Sequence, residues 1–367
     1  MSLDPQTITG EEVDADLLEL YRGLDAVDLQ PLWTITAQLL TPTPRPKAMP
    51  WLWAATTMRP LAERAIELVP VERGGERRVL AMANPGLGGR PYAAGTLWGA
   101  LQCLGPRETA PAHRHSPGAI RFVLEGEGVW TTVDGDACDM APGDLVLTPG
   151  NTWHDHTNGG DGHMFWFDGL DLPMVESLDA VFFESYPDDQ QQTGAAHDRS
   201  LAAHGAAGPR HVVGTVDGAL DPTPSPLLRY PWSDTAPELE RLAAASDDAV
   251  VTLEYVNPYT GASVLPTMSC AVSRITPGRV DRPVRRTGNA VHVVLHGHGT
   301  SVIDGQRFRW GPGDVFVVPS WAAVEHAADE PADVFVCADT PVLRALGIHR
   351  EQHLDTPQTV TGEFRPR

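Results

Sequence analysis

The chain has 367 residues, 42% of them hydrophobic and 20% charged, enough for one large or two medium domains with real cores. A formal net charge of −21 opposes nucleic acid and anionic membrane surfaces as partners. No run of 18 apolar residues occurs, and residues 1–12, MSLDPQTITGEE, lack the basic-then-apolar order of a signal peptide, so a cytoplasmic protein is expected.

Residues 11–30, EEVDADLLELYRGLDAVDLQ, set Leu17, Leu18, Tyr21 and Leu24 on one face behind an acidic start, which predicts an amphipathic helix. The proline-rich LTPTPRPKAMPWLW that follows is too broken for a regular element. TTMRPLAERAIELV, residues 56–69, reads as a second helix, and residues 1–75 together read as a helical arm. From about residue 76 the texture changes to short strands between Gly, Pro and Asp. VLEGEGVWTTVDGDACDMAPGDLVLTPG, residues 123–150, alternates apolar and polar positions between turn signals, as a small antiparallel barrel or sandwich does. That module spans 76–187. Residues 188–248, rich in Ala, Gly, Asp and Pro, read as a connection with a helix near 236–245.

The pattern then returns over 249–350, leaving 351–367 as a tail. VLHGHGTSVIDGQRFRWGPGDVFVVPS, residues 294–320, repeats residues 123–150. Gly126 and Gly128 match Gly297 and Gly299, Asp134-Gly135 matches Asp304-Gly305, and Pro142-Gly143-Asp144 matches Pro312-Gly313-Asp314. Three turn motifs in one register indicate a duplicated β-module.

Four cysteines, Cys103, Cys138, Cys270 and Cys337, are scattered without a CxxC pair and read as small buried hydrophobes. The histidines say more. Residues i and i+2 of a strand face the same side, so His113 and His115 project together, where His154 from a nearby strand completes a set of three imidazoles. Three neutral imidazoles suit Fe(II), Zn, Mn, Ni or Cu(II) and leave positions open for other ligands. In the second module the three positions fall on Val284, Arg286 and Val324, none an imidazole. His292, His296, His298 and His326 lie off them, so that module reads as a metal-free copy.

The H-x-H pair, the strand ending in LEGEG, and the spacing Gly143, Pro149, His154, Asn158 follow the two halves of the cupin signature. With GGERRVLAMANPGLGG (74–89), LGPRETAPAHRHS (104–116), TPGNTWHDH (148–156) and DGLDLP (168–173), the chain resembles the gentisate and salicylate 1,2-dioxygenases, which are bicupins. The resemblance implies a mainly β fold of two tandem cupin barrels, each a double-stranded β-helix or jelly roll, with an N-terminal helical segment and a few extra helices. Most metal cupins carry a glutamate ligand shortly after the histidine pair. This chain has Ala119 there, so the site keeps three histidine ligands.

The same resemblance implies Fe(II) on His113, His115 and His154, with a small aromatic acid and O2 as the reactants. It makes Arg121 and Arg77 the carboxylate-binding guanidiniums and His156 the group that hydrogen-bonds the substrate hydroxyl and moves protons. Asp168 holds such groups in place, while Trp98, Gln102 and the small Ala100 line the ring pocket. The expected reaction opens the ring between the carboxyl- and hydroxyl-bearing carbons, most simply gentisate to maleylpyruvate. Salicylate and 1-hydroxy-2-naphthoate are alternative substrates. A non-oxygenase metal cupin, such as an isomerase or a Zn or Mn hydrolase, and a small-molecule-binding bicupin without catalysis are the competing classes. A homotetramer is implied as well.

Overall fold

Asp-Gly pairs at two hairpin tips set the register of both modules. Asp134 and Gly135 take φ values of +45° and +79°, and Asp304 and Gly305 take +46° and +80°. Positive φ at both central residues is the type I′ turn that matches strand twist, and Asp and Gly tolerate it. The computed structural model describes residues 14–70, 73, 78–188, 190–194, 196–205, 210–211 and 223–366.

Around these turns the first module builds β1 (Trp98–Leu104), β2 (Thr109–His115), β3 (Ala119–Glu125), β4 (Val129–Val133), β5 (Asp136–Met140), β6 (Leu145–Thr148), β7 (His154–Asn158) and β8 (Met164–Leu170). The second repeats them as β9 (Ser269–Ile275), β10 (Val284–Arg286), β11 (Ala290–His296), β12 (Gly299–Ile303), β13 (Gln306–Trp310), β14 (Val315–Val318), β15 (Ala323–Ala328) and β16 (Ala332–Ala338). Each module divides into two antiparallel sheets, β6-β3-β8-β1 and β2-β7-β4-β5 in the first, β14-β11-β16-β9 and β10-β15-β12-β13 in the second. This is the two-barrel, mainly β architecture the sequence led us to expect.

The copies match through the candidate ligand positions, since His113 pairs with His154 and Val284 with Val324. One detail of the expected alignment shifts. Val129 pairs with Met140 and Gly299 with Trp310, so Gly299 stands at the Val129 position and the missing residue is lost from the turn between β3 and β4. A Cβ at Gly299 would strike the Ala327 carbonyl and the Trp310 ring, which accounts for a glycine inside that strand.

Strand β3 is buried along most of its length because both its faces are covered. Val123 points into its own barrel with Leu104, Val146 and Trp166. Ile120 and Phe122 point the other way, into a core shared with Val293, Tyr255 and Phe335 of the second module. The Phe122 and Phe335 rings stack with centroids 4.2 Å apart and planes 11° from parallel. Burying a ring of this size contributes about 1.5–3 kcal/mol. The barrels are thus fixed back to back, and each keeps its own interior for a site.

Residues 1–45 form a unit of their own. Its described part carries α1 (Ala15–Asp25), shorter than the helix expected over 11–30, of which residues 11–13 lie outside the described residues. Asp14 starts α1 by accepting from the Asp16 N–H at 3.2 Å, and none of the helix is buried within the chain.

Two short strands cross between the modules. Trp51–Trp53 precedes the first barrel yet pairs with β14 of the second, and Arg229–Tyr230 pairs with β6 of the first. Each leads into a 14-residue helix, α2 (Ala55–Leu68) and α3 (Trp232–Ala245). The Pro-Gly-Asp turn of the barrel that receives the strand caps the helix. Asp314 Oδ1 accepts from the Ala55 N–H and Asp144 Oδ1 from the Trp232 N–H, both at 2.7 Å. Among the described residues no helix is long and apolar enough to cross a membrane.

Candidate metal centre and substrate pocket

Pro111 lies inside β2 and has no N–H to give the ladder. The pairing with β7 slips between Ala110 and His113, which sets His113 opposite His154. Each of the three histidines donates its Nδ1–H to a backbone carbonyl: His113 to Pro111 at 2.9 Å, His115 to Pro117 at 2.8 Å, His154 to Thr152 at 3.0 Å. That fixes the tautomer and makes Nε2 the ligand-type nitrogen of each ring. The candidate ligand atoms lie within 4.8 Å of one another.

His154 is 1% exposed, and its Nε2 is buried with no hydrogen-bond partner. Burial, then the neighbouring Arg121, His113 and His115, holds its pKa well below the usual imidazole value, so it stays neutral. Neutral nitrogen donors converging on one point, one of them an orphaned buried acceptor, fit a divalent first-row metal ion.

The opposite wall of the cup comes from the other sheet. Arg121, Asp168 and Ala100 are cross-strand partners on β3, β8 and β1, and such partners share a face. Arg121 is 4% exposed and donates from Nη1 to Thr148 Oγ1 at 2.6 Å. Its Nε lies 3.5 Å from Asp168 Oδ1, too loose for a hydrogen bond, and is a buried donor without a partner. Trp166 Nε1 donates to Asp168 Oδ1 at 2.9 Å. Burial pushes the Asp168 carboxyl up to about 6, with Arg121 and Trp166 working against the rise.

His156 follows His154 on the same face of β7, with ring centroids 6.0 Å apart. Its Nδ1 sits 2.9 Å from Thr131 Oγ1. Burial, then Arg121, His113 and His115, keeps its pKa well below the usual value. Trp98 and Gln102 flank Ala100 on the same side of β1, where Trp98 partners Leu170 and Gln102 partners Trp166. Ala119, at the position of the absent glutamate, pairs with Leu170 in the row next to Arg121 and Asp168. Its methyl is fully buried.

The structure therefore gathers His113, His115, His154, His156, Arg121, Asp168 and Ala100, with Trp98 and Gln102 on the adjoining rows. Arg77 lies outside the described residues. Its neighbour Arg78 is a buried clamp, paired with Glu108 and donating to the Val69 carbonyl at 3.1 Å. Sequence reasoning missed Thr131, Thr148 and Phe183. Phe183 comes from a strand, Phe183–Ser185, at the edge of β2, and its ring stacks on His113 with centroids 5.1 Å apart.

Residues 100–170 match the cupin domain family. Over 353 residues the chain is 43% identical to a gentisate 1,2-dioxygenase from Streptomyces sp., covering 93% of this chain and 97% of that protein. It is 38% identical to a 5-aminosalicylate 1,2-dioxygenase from Comamonas sp., over 96% of each. The crystal structure of a salicylate 1,2-dioxygenase from Pseudaminobacter salicylatoxidans superposes with a TM-score of 0.86 at 39% identity, covering 94% of this chain and 99% of that one.

Proposed function

The chain belongs to the family of ring-cleaving gentisate and salicylate 1,2-dioxygenases, and from that premise we propose an Fe(II)-dependent enzyme that converts gentisate and O2 to maleylpyruvate. The carbon–carbon bond between the carboxyl- and hydroxyl-bearing carbons breaks, and both oxygen atoms enter the product. His113, His115 and His154 would hold the iron. When bound, it supplies neighbouring positions for the substrate's carboxylate and hydroxyl oxygens and for O2, and a path for ring electrons to reach O2.

The chain's own residues do the rest. Arg121 pairs with the substrate carboxylate through its buried guanidinium. Asp168 and Thr148 keep the guanidinium in place. His156, neutral and anchored through Thr131, accepts the proton of the substrate hydroxyl on Nε2. Trp98, Ala100 and Gln102 wall the ring, and Arg77 offers a second contact to the carboxylate. The first barrel, 76–187, carries the chemistry, and the second, 249–350, is the metal-free copy.

The observation behind this reading is the convergence of three tautomer-fixed imidazoles opposite a buried guanidinium. The exposed Leu20, Leu32, Trp33, Leu39 and Leu40 of residues 1–45 support assembly with further copies, which we take as a cytoplasmic homotetramer measurable by light scattering.

The test is oxygen uptake and ring-opened product absorbance after anaerobic Fe(II) loading, across gentisate, salicylate and 1-hydroxy-2-naphthoate. Gentisate is expected to give the largest kcat/KM. Oxygen uptake with none of the three would end the dioxygenase reading, and turnover of another of the three above gentisate would reassign the substrate.

A further inference from the structure

The second barrel keeps a cup and loses its metal ligands. A cavity of about 920 Å³ opens there, walled by Val284, Val318, Val324 and Val336, within the about 300–1,000 Å³ common for small-molecule sites. Among the described residues only the first barrel gathers three ligand-type atoms. What replaces the first cup's groups is chemically specific. His326 stands at the His156 position, since Ser301 pairs with it as Thr131 pairs with His156. His292 stands at the Arg121 position, and its cross-strand partner is Val336 where Arg121 faces Asp168. Arg286 takes the place of His115.

Arg286, His292 and His326 line this cup. Ser301 Oγ accepts from Trp310 Nε1 at 2.9 Å and lies 2.8 Å from His326 Nδ1. His292 is 7% exposed, with Nδ1 buried and without a hydrogen-bond partner. Burial, then His326 and Arg286, holds its pKa well below the usual value. Two of the lining acids are engaged, one of them by Arg286 itself. Asp281 accepts from the backbone N–H groups of His326 and Arg282 at 2.9 and 2.8 Å, and Glu351 accepts from Arg286 and His353 at 2.5 and 2.9 Å. Asp247 and Asp248, which also line the cavity, are exposed to solvent.

A cationic side chain and two imidazoles beneath valine walls suit an acceptor-bearing group on an apolar body. We propose that the second cup binds a small organic carboxylate without metal, its carboxylate on Arg286 and His326 and its apolar body against the valines. This site stands apart from the ring-cleaving reading and does not depend on it. Its ligand is either an aromatic acid or an open-chain acid of the kind ring opening yields.

Calorimetric titration with benzoate and with adipate distinguishes the two in the wild-type protein and in His113→Ala, Arg286→Leu and Val336→Phe. One binding event is expected to survive in His113→Ala and to weaken at least about tenfold in both Arg286→Leu and Val336→Phe, with their iron content unchanged. Val336→Phe fills the cup without altering charge, so it decides the matter if Arg286→Leu fails to fold. Benzoate alone binding there marks an aromatic ligand, and adipate alone an open-chain one. Binding of neither, binding abolished in His113→Ala, or binding unchanged in Val336→Phe overturns the proposal.

Discussion

Arg121 is held by Thr148 on one side and faces Asp168 on the other, yet its Nε remains without a hydrogen bond. On the proposed pairing with the substrate carboxylate, Arg121→Ala is expected to lower kcat/KM by the equivalent of about 2–5 kcal/mol, while iron content stays at the wild-type level. Asp168 adds a pH signature. Burial favours its protonated form, so its share of stability is largest in acid and declines as pH climbs from an unfolded value of about 3.9 through the folded value of about 6. Ionised Asp168 is the form that steadies Arg121, so kcat/KM is expected to rise with pH through an apparent pKa near 6. Asp168→Asn should remove that limb of the profile; an unaltered limb would detach Asp168 from the site. The three histidines were legible because strand geometry places i and i+2 on one side and the signature spacing supplies the third. Thr131 and Phe183 were not, because each meets a histidine only through strand pairing with residues distant in sequence.

At the scale of elements, the repeat reaches further than its turn motifs. A strand and a helix precede each barrel, and each strand is paired into the other barrel. α2 starts within a residue of the reading over 56–69, whereas α3 starts at Trp232, ahead of the helix read near 236–245. The strand Trp51–Trp53 was hidden in a proline-rich run that reads as irregular, since its ladder partner, β14, lies in the far half of the chain. Asp144 and Asp314 tie these crossings down by capping α3 and α2. Asp314→Ala is therefore expected to lower unfolding stability by about 0.5–2 kcal/mol, read as a shift in denaturant midpoint. Iron binding and ring cleavage should be unaffected in the folded variant, because the capped helix belongs to neither cup. The shortened turn that puts Gly299 at the Val129 position escaped the sequence alignment because glycines occur on both sides of it.

For residues 46–367, the back-to-back sheets form one core, with Phe122 stacked on Phe335 at its centre. Phe122→Ala is expected to cost about 3–5 kcal/mol. The two barrels should still unfold in one transition followed by fluorescence and circular dichroism together; separate transitions would show that the shared core does not couple them. The two cups differ at matching positions: imidazoles meet in one, and valines and an arginine stand in the other. The account rests on the first cup holding the metal. Iron bound per chain, measured after anaerobic Fe(II) loading of the wild type, His113→Ala and Val324→Ala, tests this most directly. One ion per chain is expected in the wild type and in Val324→Ala, and none in His113→Ala. Full iron in His113→Ala, or its loss from a folded Val324→Ala, would contradict it.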